Sequence, residues 1–300
     1  MSYTLVIGGN GFIGKYVCDL LLSRNKKVVC VGRSVAPQVR CRQHWEYVSI
    51  NEVKLENLIK EGVEIIDLAY STSPSVNSAD FLSDLFTNVK FSLDIFNESL
   101  KKGVKKIVIV SSGGTVYGNH GNVSIKEYFN QSPVSPYGIV KSTIEQYAFM
   151  YFNNYKLPIN IVRPSNAYGV EQKTTTGQGF IAAVKRSLMS GKDIQIYGDT
   201  GSVRDYVHVK DVASGIINVL EKGVLGEAYN ISTGIGTSNF DIINYFKEYT
   251  KITNEICFLP KRQFDVQTNI LDNKKLYDLS LWKPTVSLRQ GIKDIWFNVL

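Results

Sequence analysis

Two residues near the middle of the chain, Tyr137 and Lys141, have the types and spacing for proton chemistry. A free phenol has a pKa of about 10 and is a poor base near neutrality. A lysine four positions later on a helix lies on the same face, and its ammonium favours the phenolate. Such a pair can take the proton of an alcohol while the carbon beneath gives up a hydride. Helices also produce Tyr-x-x-x-Lys by chance as solvated surface, so the pair gains meaning only if the chain also holds a hydride acceptor.

The first residues provide a place for one. Tyr3-Thr4-Leu5-Val6-Ile7 reads as a strand and runs into Gly8-Gly9-Asn10-Gly11-Phe12-Ile13-Gly14. Lys15 to Arg24 then carries Tyr16, Val17, Leu20 and Leu21 on one helical face. Strand, glycine turn and helix in this order fit a dinucleotide fingerprint, Gly-x-Gly-x-x-Gly from Gly9 or Gly-x-x-Gly-x-x-Gly from Gly8. Missing side chains let the backbone approach a pyrophosphate, and the helix N-terminus offers N–H groups and partial positive charge. Gly8, Gly11, Phe12, Ile13 and Gly14 are therefore cofactor-binding candidates; a turn that merely reverses the chain is the plainer alternative.

The second strand, Val28 to Val31, ends at Gly32-Arg33-Ser34. An acid here would select NAD by binding the ribose 2′-hydroxyl, yet none occurs between Asp19 and Glu46. Arg33, followed by Arg40 and Arg42, suits a 2′-phosphate. The expected cofactor is NAD(P), leaning towards NADP; an Arg33 that only stacks on adenine would leave NAD acceptable.

The elements that must position these groups follow from the apolar pattern. Expected strands at Trp45 to Val48, Glu64 to Leu68, Lys106 to Val110 and Ile159 to Val162 alternate with helices at Val53 to Lys60, Asp80 to Lys102 and Tyr137 to Asn154. Apolar strands separated by helices imply an α/β fold with a Rossmann-type doubly wound parallel sheet. The second half has longer polar loops, at Glu171 to Gly179 and Tyr197 to Ser202. Its helices are expected at Gly179 to Ser190, Val209 to Lys222, Asn239 to Thr250 and from Leu288 onward. The division is a dinucleotide-binding domain over 1–165 and a smaller α/β substrate-binding region over 166–300, with a soft boundary near Pro164 and some segments interleaved.

Composition narrows the classes. The 300 residues are 44% hydrophobic, which suits an ordinary globular protein with ample core. No basic-plus-apolar leader precedes the first strand and no run is long enough for a bilayer, so a cytoplasmic protein without a membrane partner is expected. Cys18, Cys30, Cys41 and Cys257 form no Cys-x-x-Cys pair and read as reduced thiols. His44, His120 and His208 are too scattered for a metal site. The net charge of +7 is spread without a basic tract, so an anionic small molecule accounts for it with fewer assumptions than a nucleic acid.

With these pieces placed, the chain resembles the extended short-chain dehydrogenase/reductase superfamily. Within it, the resemblance is to the NAD-dependent epimerase/dehydratase family, which includes UDP-glucose 4-epimerase. It rests on an ordered series: Gly8 to Gly14, Asp67-Leu68-Ala69, Asn88-Val89, Ser111-Ser112-Gly113-Gly114-Thr115-Val116-Tyr117-Gly118 and Ser135-Pro136-Tyr137-Gly138-Ile139-Val140-Lys141. The series continues with Arg163-Pro164-Ser165-Asn166-Ala167-Tyr168-Gly169, Ile196-Tyr197-Gly198-Asp199, Arg204 to Val212 and Pro260 to Asp265.

The resemblance implies Tyr137 as catalytic acid and base, and Lys141 as holder of the nicotinamide ribose. It adds Ala69 to the cofactor-binding residues, Asn166 at the substrate, and Arg204 and Arg262 as clamps on the diphosphate of a nucleotide-sugar. A guanidinium grips phosphate oxygens in a fork that lysine lacks. Two helices, near Asn88 to Lys102 and Tyr137 to Asn154, would pair chains into a homodimer.

One departure matters. The family places Ser or Thr where this chain has Gly113, so Ser112 or Thr115, or a water, must act as the hydroxyl partner. Dehydratases carry Asp-Glu immediately after that position; Gly114-Thr115 here argues against dehydration. Asp67 stands where His is more usual, and Asn269 where the family adjusts room for an N-acetyl group.

The leading expectation is a UDP-hexose-class 4-epimerase working by transient C4 oxidation and hydride return. The alternative is an NADPH-dependent reductase of a 4-keto-6-deoxy nucleotide-sugar. A non-catalytic nucleotide-bound subunit and a nucleic-acid binder are the rivals outside this chemistry.

Overall fold

The structure, a computed structural model, describes residues 3–33, 44–51, 53–70, 81–172, 179–199, 201–261 and 266–298. The chain opens with β1 (Thr4–Ile7), α1 (Phe12–Ser23), β2 (Val28–Gly32), β3 (Trp45–Ser49) and β4 (Glu64–Asp67). Next come α2 (Phe81–Lys102), β5 (Lys106–Val110), α3 (Gly113–Val116), β6 (Ser124–Ile125), α4 (Pro136–Tyr155), β7 (Ile159–Pro164) and β8 (Asn166–Tyr168). The remainder holds α5 (Phe180–Ser190), β9 (Ile194–Tyr197), β10 (Val203–His208), α6 (Val209–Lys222), β11 (Ala228–Ile231) and β12 (Gly236–Ser238). It closes with α7 (Asn239–Lys247), β13 (Ile256–Leu259), β14 (Thr268–Leu271), α8 (Lys274–Ser280) and α9 (Leu288–Phe297).

Seven parallel strands make the main sheet, in the order β11-β7-β5-β4-β1-β2-β3. Their side chains alternate between two cores, as a period of two requires. Leu5, Ile7, Ile65, Ile107 and Ile109 face Ile95 and Phe96 of α2 and Ile144 and Ala148 of α4. Val6, Ile66, Val108 and Val162 face Val17 and Leu21 of α1 and Ile216 and Leu220 of α6. Covering both faces explains why these strands read as almost continuously apolar. The fold is the doubly wound Rossmann type. Strand order reverses between β1 and β4, and the crevice beyond their carboxyl ends is where such sheets bind ligands.

Beyond residue 165 the chain serves both layers. β11 returns to the main sheet, with Ala228–Ile231 in register with Ile161–Pro164, and α6 packs on α1. A smaller sheet runs β12-β10-β14-β6 with β8 beside β10, while β13 pairs with β9. Ile181, Ile196, Ile242, Phe246, Ile292 and Ile295 centre the apolar core of this smaller region.

The helix expected over Val53 to Lys60 is instead a single 3-10 turn at Leu55–Asn57. The phenol of Tyr3 donates to the Leu58 carbonyl, taking an acceptor that a continuing helix would use.

Candidate active site

The glycine turn lies in the crevice between β1 and β4. Gly8 adopts φ +80°, and a Cβ there would lie 3.1 Å from the Leu68 carbonyl carbon. A Cβ on Gly14 would fall 2.3 Å from Gly8 O, so only glycine lets α1 sit this close to the turn. Gly11 caps α1 without a side-chain bond, leaving the helix N-terminus to meet an anion, with Phe12 and Ile13 in its first turn. Ala69 faces the same turn through its backbone, its N–H donating to Asp67 Oδ1 at 3.0 Å. These residues fit a dinucleotide pyrophosphate.

Arg33 is exposed just after β2. Asn10 fills the space over Gly32: a Cβ there would be 2.4 Å from Asn10 Oδ1, so an acid cannot stand at that position without displacing Asn10. Arg40 and Arg42 lie outside the described residues.

Across the crevice, α4 begins with Ser135 as N-cap, its hydroxyl accepting the Gly138 N–H at 3.2 Å, and Pro136 in the first turn. Gly138 allows α4 to approach α3; a Cβ there would be 2.7 Å from Thr115 O. This places Tyr137 against the carboxyl end of β5, with Ser112 as the neighbouring hydroxyl that favours its ionised form. Thr115 does not share that role, since its hydroxyl turns back to the Ser112 carbonyl at 3.4 Å.

Lys141 is 5% exposed and donates to Val110 O at 2.9 Å, with Nζ 5.9 Å from the Tyr137 ring centroid. The expectation that Lys141 draws the phenol towards phenolate needs correction. Burial pushes Tyr137 up to about 12, offset in part by the Ser112 hydroxyl and reinforced by the charge of Asp84. By itself, burial therefore favours the neutral phenol of Tyr137. Burial likewise lowers Lys141 to about 8, against the charges of Asp67 and Glu145.

Two groups here escaped sequence reasoning. The Tyr70 ring meets Tyr137 edge-on at 4.6 Å and lies 4.8 Å from Lys141 Nζ. Its hydroxyl donates to Asp84 Oδ2 at 3.1 Å, and Asp84 Oδ1 accepts from Asn88 at 2.8 Å. No local pattern marks Tyr70; only the pairing of β4 with β5 brings it to the pair on α4.

In the smaller sheet, Asn166 at the start of β8 donates to Asp205 O at 3.2 Å and borders Gly114. Arg204 on β10 donates to Val203 O at 3.0 Å and Gln267 O at 3.3 Å. Arg262 lies outside the described residues. Several motif residues prove to be scaffolding. Arg163 grips buried Glu145 at 2.6 Å and the Tyr117 hydroxyl at 2.8 Å, tying β7 to α4. Asp205 accepts from the Thr233 backbone and hydroxyl and from Gly234 N–H, fastening β10 to the loop after β11.

The arrangement combines a phosphate-binding turn with a tyrosine, a serine and a buried lysine at the switch point of a Rossmann sheet. Residues 4–232 match the model of the NAD-dependent epimerase/dehydratase family. The chain belongs to that family. It is an enzyme of the extended short-chain dehydrogenase/reductase type. Among family relatives, the UDP-glucose 4-epimerase of Mycolicibacterium smegmatis is 31% identical, with 96% of each chain covered. The crystal structure of UDP-glucose 4-epimerase with UDP-glucose from Thermotoga maritima superposes with a TM-score of 0.88 at 32% identity, covering 99% of this chain and 98% of that one. The Thermus thermophilus UDP-glucose 4-epimerase in complex with NAD gives 0.86 at 27% identity over 100% of both chains. A more distant family member, dTDP-4-dehydro-6-deoxyglucose reductase of Escherichia coli, is 26% identical over 97% of this chain and 95% of its own.

Proposed function

We propose that the protein is an NAD(P)-dependent nucleotide-sugar 4-epimerase of the UDP-hexose class. The observation that carries this reading is the meeting of Tyr137, Ser112 and Lys141 beside the glycine turn. A bound nicotinamide dinucleotide supplies a hydride acceptor and donor there and, when oxidised, a positive charge. Gly8, Gly11, Phe12, Ile13, Gly14 and Ala69 would hold its pyrophosphate half, and Lys141 its nicotinamide ribose. Arg33 at the end of β2, with no acid between Asp19 and Glu46, supports a lean towards NADP.

Tyr137 then exchanges one proton with the sugar O4, and the neighbouring Ser112 hydroxyl would assist that exchange. Asn166, Arg204 and Arg262 would hold the sugar and diphosphate, so that a 4-keto sugar turns about its linkage instead of leaving. Residues 1–165 would serve chiefly the cofactor and 166–300 the sugar. Chains would pair as a homodimer through α2 and α4, where Leu82, Phe86 and Ile139 are 76%, 66% and 50% exposed.

The second reading is a 4-keto-6-deoxy nucleotide-sugar reductase. The neutral phenol of Tyr137 favours it, being ready to protonate a keto oxygen. Incubation with UDP-galactose and UDP-N-acetylgalactosamine, with and without NADPH, separates the two. Sugar interconversion without net change in reduced-nicotinamide absorbance is the expected result. Stoichiometric loss of that absorbance with a 4-keto sugar, and no interconversion, would replace epimerase by reductase.

A further inference from the structure

Asp67 ends β4 where the strand order reverses, paired with Ile7 of β1 on one side and Ile109 of β5 on the other. It is 3% exposed. Its Oδ1 accepts the Ala69 N–H at 3.0 Å, two residues on. Asparagine forms that turn as readily, so the backbone does not require a negative charge here. Burying a carboxylate is costly unless a cation answers it.

The nearby cation is Lys141, which reaches from α4 to the carbonyl of Val110, the residue after Asp67's partner on β5, and acts on Asp67 through its charge without a direct ion pair. The other groups around Lys141 have separate engagements. Glu145, one turn along α4, is gripped by Arg163 of β7 at 2.6 Å. Asp84 of α2 accepts from Tyr70 and Asn88. Tyr70 and Tyr137 present rings, and Ser112 is neutral.

We infer that Asp67 is a positioning residue whose carboxylate keeps Lys141 an ammonium inside the crevice, and so sets the pH range in which Tyr137 works beside a cation. The catalytic half of this inference rests on the proposed roles of Tyr137 and Lys141; the coupling itself does not. The direction of each shift agrees. Burial lowers Lys141 to about 8 while Asp67 opposes it. Burial raises Asp67 to about 6, against the Ala69 N–H and Lys141.

Asp67→Asn keeps the turn and removes the charge, and two profiles read it. In the pH dependence of kcat with UDP-galactose, the alkaline limb should move down by about one pH unit, because an unanswered buried ammonium loses its proton sooner. The pH dependence of Tm needs no substrate. Between about 8 and 10.5 the unfolded chain binds the Lys141 proton and the folded chain does not, so this group makes stability rise with pH. In Asp67→Asn that rise should begin at lower pH. Between 3.8 and about 6 the folded chain holds the Asp67 proton that the unfolded chain releases, so wild-type stability falls with pH there. Asp67→Asn should lack that fall.

An alkaline rise that begins at the wild-type pH would reduce Asp67 to a turn residue and overturn the inference. An alkaline rise shifted to lower pH, from a protein that turns over no UDP-sugar, would uphold the coupling to Lys141 and sink the epimerase reading instead. Should Asp67→Asn fail to fold, Lys141→Met reads the same pair from the other side. The acidic fall should then extend to higher pH, and an unchanged fall contradicts the inference.

Discussion

A Cβ on Gly113 would lie 2.3 Å from Leu271 Cδ1 and 2.9 Å from Arg163 O. Leu271 is fully buried, and the carbonyl is part of β7. The family's usual hydroxyl therefore has no room on this backbone, and we propose that the neighbouring Ser112 takes its place beside Tyr137. Thr115 carries the same functional group, but its hydroxyl points back to the Ser112 carbonyl. The two are separable. S112A should lower kcat by roughly 10–100-fold with little change in KM, because the lost hydroxyl would act on proton transfer. T115A should change kcat by less than about threefold by the same reasoning. Steady-state kinetics with a UDP-hexose checks both, and the reverse ranking would move the hydroxyl role to Thr115.

Among the elements, α4 and α2 do two jobs. Their inner faces cover the main sheet with Phe96, Ile144 and Ala148, while Leu82, Phe86, Ile139 and Tyr147 remain at least 38% exposed. We propose that these exposed apolar side chains form the dimer face. Leu82→Lys with Phe86→Glu should convert a dimer to a monomer in sedimentation at micromolar concentration while leaving the far-UV spectrum unchanged. A wild-type protein that sediments as a single chain would remove the dimer.

The same elements show what a sequence can carry. Strands such as Lys106–Val110 and the helix around Tyr137 were legible because each pattern is local: a short apolar run in the one and a tyrosine–lysine pair one helical turn apart in the other. The glycine turn was legible because only glycine meets its close approaches, as at Gly14. What stayed hidden depends on distant partners. Past Leu58 the chain is held by distant groups, Leu58 O by the Tyr3 phenol and Gly62 N–H by Gly103 O. The Lys141 ammonium is bonded by a carbonyl from β5, 31 positions back, and lies over a ring from beyond β4. β11 rejoins the main sheet only because β7 leaves an edge for it.

At the scale of the molecule, the proposed function joins the glycine turn after β1 to Asn166 of β8 and Arg204 of β10, contributed by the two sheets. That function passes through the phenol of Tyr137. The decisive measurement is conversion of UDP-galactose to UDP-glucose by wild type and Tyr137→Phe, each carrying its dinucleotide. Deleting one oxygen leaves the ring packed on Tyr70 and should preserve folding and cofactor binding. Wild type should interconvert the sugars and Tyr137→Phe should be slower by about 10^2–10^4-fold, the span of a lost acid–base group. Equal rates for the two proteins, with dinucleotide bound in both, would contradict the account.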